Sequence, residues 1–166
     1  VRNIADEVIL RGNKYSSQVI KFEKEKIPKD VAQVMKMSKD YSVAHILLVH
    51  FENEMPIQVE DRFVDINFAP NLMEQDFSNN TPSAYLSAIA PLQEAEQAVK
   101  AIIPKKFISD LLMMREGQPC LLITRRTWVK EKPVTYGRFF HPGDRYELVG
   151  HYKPLQGKSY KFNNRN

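Results

Sequence analysis

Apolar and polar side chains alternate loosely from Tyr15 to Phe22, a pattern that predicts a strand. Ser42 to Glu52, rich in Val, Ile, Leu and Phe, predicts a second strand. Asn53 and Glu54 make a turn, and the chain returns over Ile57 to Asp65 to complete a β-hairpin. Leu121 to Val129 and Val134 to Phe140 read as two more strands across a short Lys/Glu/Pro turn, and Tyr146 to His151 as a last short one. Helical spacing appears between these stretches. Pro28 suits the first turn of a helix reaching Met37, with Val31, Val34 and Met35 on its apolar face. Thr81 is a good N-cap and Pro82 fits the first helical position of a segment that includes Ala84 to Ile89. Lys106 to Arg115 sets Ile108, Leu111 and Leu112 on one face, and Gly117 marks its stop. Gln93 to Ile102 is ambiguous, because its Ala, Glu, Gln and Lys favour helix locally. Residues 66–80 predict a long polar connection. The resulting division is a helical or linker segment over 1–13, one domain over 14–154, and a polar tail over 155–166.

The loop of the first hairpin decides which side chains share a face. A two-residue loop sets His50 opposite Ile57. A three-residue loop, Asn53 to Met55, sets His50 opposite Gln58 and Leu48 opposite Glu60, since a shift of one residue turns every side chain over. The longer loop is preferred because it gathers Gln58, Glu60 and Arg62 beside His50 and leaves Ile57, Val59 and Phe63 on the apolar face.

Charge set inside strands suggests a polar pocket, because buried strands are normally apolar. Glu60 with Arg62 admits a second reading, an ion pair on an exposed face. Arg125 and Arg126 are adjacent, so at most one of them faces any pocket. The helix start at Thr81 and Ser83 offers N–H groups, hydroxyls and the positive end of a dipole, which together suit an anion; an ordinary cap has the same residues. No Gly-rich phosphate loop, HExxH, GxSxG or paired CxxC occurs, and nothing resembles an activated nucleophile. His45, His50, His141 and His151 lack close metal spacing, so no metal or other cofactor is expected, although His50, His141 and Glu60 come nearest to a ligand set. The net charge of +4 is weak evidence for nucleic acid, because Lys14 to Lys39 also holds Glu23, Glu25 and Asp30. Cys120 is the only cysteine, which fits a reducing cytoplasm. No apolar run reaches the roughly 18–20 residues that cross a membrane.

Several of these segments together resemble the effector-binding (UTRA) domain of GntR-type bacterial transcription regulators of the HutC subfamily. They are Asn3 to Glu7 with Arg11-Gly12, Pro56 to Val64 with Glu60-Asp61-Arg62, Thr81 to Leu86, Ala90 to Gln93, Pro119 to Trp128 and His141 to Tyr146. The resemblance implies an α+β, chorismate-lyase-like antiparallel sheet flanked by helices, in which Gln93 to Ile102 is a strand. It also implies a homodimer that contacts operator DNA only through an N-terminal winged helix-turn-helix absent from this chain. In the histidine-utilisation members the effector is urocanate. The pocket positions of sugar-phosphate-sensing relatives fall here on Leu48 and His50, Glu60, Thr81 with Ser83, Thr135 and His141, and only the glutamate is unchanged. The expected effector site is therefore His50, Glu60, Arg62, Thr81, Ser83, Tyr85, Arg126, Thr135 and His141. The same fold also hosts a chorismate-lyase-type enzyme, which is the competing reading.

Overall fold

The structure is a computed structural model that describes residues 3–90 and 94–154. Pro91, Leu92, Gln93 and the tail from Leu155 onwards, all named in the expectations above, lie outside the described residues. Six strands form one antiparallel sheet in the order β1-β2-β3-β6-β5-β4. They are β1 Tyr15–Lys26, β2 Ser42–Glu52, β3 Met55–Asp65, β4 Glu94–Ile102, β5 Cys120–Val129 and β6 Lys132–Pro142. The helices are α1 Ile4–Leu10, α2 Lys29–Met35, α3 Pro82–Ile89 and α4 Lys106–Leu111. The architecture is the expected α+β arrangement. β4 is a strand despite its helical propensity, because ladder pairing with β5 from Glu94↔Trp128 to Ile102↔Cys120 outweighs a weak local preference.

Both hairpins are built alike. In the first, Asn53 and Glu54 take φ of 49° and 68°, the left-handed pair of a tight two-residue turn that matches strand twist. Glu52 pairs Met55 and Phe51 pairs Pro56; the register then shifts and His50 pairs Gln58. Ile57 is the extra residue of a β-bulge. The expected pairing of His50 with Gln58 and Leu48 with Glu60 is therefore present, reached by a shorter turn plus a bulge instead of a three-residue loop. In the second hairpin Val129 pairs Lys132 and Trp128 pairs Pro133, after which Thr127 pairs Thr135 and Val134 is the extra residue.

Opposite faces of the sheet carry separate cores. Ala44, Ile46, Leu48 and Val64 face Ala69, Leu72, Phe77 and Leu86, the last from α3. Residues 66–80 are thus less polar in effect than expected: Ala69, Leu72 and Phe77 are buried and plug this face around a 3-10 turn at Leu72–Glu74. Each fully buried Ile, Leu or Phe contributes about 1.5–3 kcal/mol. On the other face α2 sets Val31, Ala32 and Met35 against Val43 and Phe63, and Leu112, just past α4, meets Leu47, Val49 and Val59. No β5 or β6 residue belongs to the cluster under α3, so the apolar cover ends at β3.

Several boundaries differ from expectation: β1 runs on to Lys26, and α2 ends at Met35, where Lys36 takes the left-handed conformation. α4 stops at Leu111, with Met113 in the left-handed region, so the chain leaves the helix before Gly117. Tyr146 to His151 forms no strand. β6, the strand it follows, already pairs on both sides, with β3 and β5, so that segment cannot fold back onto it as a further strand.

Candidate functional site

The site begins with strand parity. Gln58, Glu60 and Arg62 alternate onto the α3 face of β3, where unbalanced charge has to find partners. Glu60 is 1% exposed and is held from both sides. His50 Nε2 lies 2.8 Å from its Oε1, and Arg62 Nε donates to its Oε2 over 2.7 Å. Burial by itself would raise the Glu60 pKa; the charge of Arg62, the hydrogen bond and charge of His50 and the Arg62 hydrogen bond outweigh it and hold the group at about 2. Behind His50 stands Tyr15 of β1, its hydroxyl 2.7 Å from Nδ1. Burial chiefly, with the nearby Glu60 charge, pushes Tyr15 up to about 12 against an opposing hydrogen bond from Ser17, so its phenol stays protonated.

The chain continues to α3. Arg62 Nη2 donates to Ser83 Oγ over 2.7 Å. Thr81 is the N-cap: its Oγ1 accepts from Ala84 N at 3.1 Å. Pro82 has no N–H, so the Ser83 N–H is the first-turn donor left without a partner among the described residues. A single line of contacts, buried at His50, Glu60 and Arg62 and half-buried at Tyr15 and Ser83, therefore joins these residues and ends at a helix N-terminus.

A second polar group sits on β6. His141, 3% exposed, accepts at Nε2 from the Gln58 amide at 2.9 Å and stacks on Tyr146 with ring centroids 3.8 Å apart. An amide nitrogen can only donate, so neutral His141 carries its proton on Nδ1. Burial lowers its pKa to about 4, the backbone at Leu121 and Phe139 partly offsetting and His50 adding to the effect. Thr135 and Thr127 share a buried hydroxyl contact of 2.5 Å.

Seven of the expected residues lie on the α3 side of the sheet as one polar region: His50, Glu60, Arg62, Thr81, Ser83, Thr135 and His141. Tyr85 and Arg126 are not brought into it. Tyr85 packs edge-on to Phe77 within the apolar cluster, centroids 6.4 Å apart. Arg126 points to the opposite face, where it donates to Val34 O and Glu96 and lies 4.5 Å above the Trp128 ring. The physical reason is the bulge at Val134. A hairpin continued in the register of its turn sets Arg126 beside Thr135; the shift sets Thr127 there instead and turns Arg125 onto the pocket face. Tyr15, Gln58, Arg125 and Phe139 belong with the site and were absent from the expected set. The pairing of Thr127 with Thr135 carries the signal for Arg125, because residues two apart share a face. Tyr15 depends on the β1–β2 register, which no local feature specifies.

Among the described residues no three His, Cys, Asp or Glu side chains converge to hold a metal ion. A surface hollow of about 610 Å³ opens beside Met55, Met113, Arg115 and Arg145, and it shares no residue with this cluster.

The UTRA domain family matches residues 10–147. The histidine utilization repressor of Pseudomonas putida is 46% identical over 152 residues, covering 92% of this chain and 61% of that protein. The histidine utilization repressor of Klebsiella aerogenes is 38% identical over 152 residues, covering 92% and 63%. The chain thus spans about three fifths of the length of these relatives. The crystal structure of the C-terminal domain of the histidine utilization repressor from Pseudomonas syringae pv. tomato superposes with a TM-score of 0.81 at 42% identity, over 85% of this chain and 100% of that one. PhnF from Mycobacterium smegmatis shares the fold at a TM-score of 0.79 and 15% identity, over 92% and 70%.

Proposed function

Because the chain belongs to the UTRA domain family, we propose that it senses the effector of a homodimeric transcriptional repressor of histidine utilisation genes, and that the effector is urocanate or a closely related imidazole carboxylate. The observation that carries the reading is the line of contacts from buried His50 through Glu60 and Arg62 to half-buried Ser83 at the start of α3. Arg62 is oriented by Glu60, and beside it the Ser83 N–H and the α3 dipole favour a carboxylate. The ring of the ligand then lies between the hairpin and β6, beside Thr135 and His141. Release of operator DNA follows in the whole repressor when the bound and free forms of this domain differ in how they set its DNA-binding part.

Support for the homodimer comes from β4, whose residues Glu94 to Ala101 are exposed and whose outer edge has no partner strand among the described residues. A long open edge is a surface that a second copy can cover. Sedimentation should give a dimer, and a monomer at every concentration would reject it.

The test of function is thermal unfolding with urocanate. Ligand at about 100 times its dissociation constant adds about 2.7 kcal/mol to the folded state, which should raise the melting temperature by roughly 5–10 °C. A melting temperature unmoved by millimolar urocanate would remove this effector.

A further inference from the structure

Three strands meet at Gly137. β3 sets Arg62 against it on one side and β5 sets Arg125 against it on the other. The three residues are in register, so both arginines leave the same face of the sheet, with Cα atoms two strand spacings, or about 10 Å, apart. A Cβ at Gly137 would stand 2.7 Å from the Phe139 ring. That ring therefore lies back over the glycine, and Arg62 Cζ is 5.1 Å from its centroid. The floor between the two guanidinium groups is a glycine and an aromatic ring, with no carboxylate.

The two cations differ in how they are satisfied. Arg62 donates to Glu60 and Ser83. The other partly or fully buried arginines also have partners: Arg126 has Val34 O and Glu96, Arg138 has Asp61 and Asp30, and Arg145 has Pro56 O and Met113 O. Arg125, half-buried, makes no hydrogen bond and no ion pair among the described residues. Burial lowers its pKa and the charge of Arg62 lowers it further, so the pair disfavours its own second charge. One carboxylate, Glu60, stands against two arginines on this face, and an anion seated between them supplies the missing charge.

We propose that Arg125 is a specificity-determining ligand contact: with Arg62 it clamps the anionic group of the effector across Gly137, while a flat unsaturated body lies on the Phe139 ring. The inference rests on the reading of this pocket as an effector site and adds to it a second cation, one that selects for a charged anionic end. An uncharged ester of the same acid loses this clamp.

Calorimetry on wild type, Arg125→Met and Arg126→Gln, each shown to be folded by circular dichroism, tests it. The probes are urocanate, urocanate methyl ester, and sodium sulfate against sodium chloride at equal ionic strength, the salts read by melting temperature. Urocanate affinity should fall roughly tenfold or more in Arg125→Met and stay at the wild-type value in Arg126→Gln. The ester should bind weakly and alike in all three. Equal urocanate affinity in wild type and Arg125→Met overturns the clamp and leaves the effector reading intact. Should urocanate fail to bind wild type, the effector reading fails and the salts decide on Arg125. A sulfate stabilisation that Arg125→Met loses upholds the anion clamp, and one that is absent or unchanged overturns it. If Arg125→Met does not fold, Arg125→Gln takes its place in every arm.

Discussion

Each face of this sheet carries a chain of contacts that links a histidine, an arginine and at least one carboxylate. On the α2 face Glu25 Oε1 lies 2.6 Å from His45 Nδ1, Asp61 lies 2.5 Å from His45 Nε2, and Arg138 bonds both Asp61 and Asp30. On the α3 face Glu60 holds His50 and Arg62, Arg62 reaches Ser83, and Arg125 stands by with no partner among the described residues. The first set offers three carboxylates to one arginine, one histidine and Lys21, and every cation in it has a carboxylate beside it. The second offers one carboxylate to two arginines and a histidine. A chain of charges in which every cation has its carboxylate is explained by folding alone, whereas one that is short of an anion points to a ligand that brings it.

The contrast can be broken most directly by deleting its two central carboxylates. Glu60→Ala leaves Arg62 buried without its main acceptor and should cost about 3–5 kcal/mol. Asp61→Ala leaves Arg138 with Asp30 at a partly open position and should cost about 1–2 kcal/mol. Urea unfolding measures both, and equal losses would erase the distinction.

Acid titration sharpens it next. His141 is depressed to about 4, so the unfolded chain takes up its proton from about pH 6.5 downward while the folded one resists until about pH 4. Stability should therefore fall through that window by about 3 kcal/mol, at 1.36 kcal/mol per unit. Glu60, held down at about 2, adds a separate loss as pH falls from about 4.3 towards 2. Urea unfolding at stepped pH should show the upper window flattened in His141→Asn, and an unchanged slope there would clear His141 of the effect. The smallest effect belongs to Arg126→Gln. It loses the bond to Val34 O and the contact with Trp128 and should cost about 1 kcal/mol, measured the same way.

Most of the sheet was legible because its strands are apolar runs bounded by turn residues, and α3 because Thr81 and Pro82 announce its start. β4 was not legible from its own residues, since only pairing with β5 makes it extended. The site was legible where chemistry constrained register. His50, Gln58, Glu60 and Arg62 gather on one face only in one pairing, and that pairing is present even though the turn differs from the expected loop. The second hairpin offered no such constraint, and the bulge at Val134 carried Arg125, not Arg126, to the pocket face. The unpaired Ile57 and Val134 leave no mark in hydropathy, and both decide which side chains meet.

Those two bulges have a practical consequence for anyone building a biosensor from this domain. Each absorbs one residue between a tight tip and the strand body, so tip length and pocket alignment can be adjusted separately. A three-residue turn with no bulge aligns His50 with Gln58 just as a two-residue turn with one bulge does. The first tip is tied back to Lys14 through Asn53, but the second, at Lys130 and Glu131, is exposed. A fluorophore or an inserted reporter domain belongs there, close in sequence to the strand that carries Arg125 and Thr127, outside their contacts.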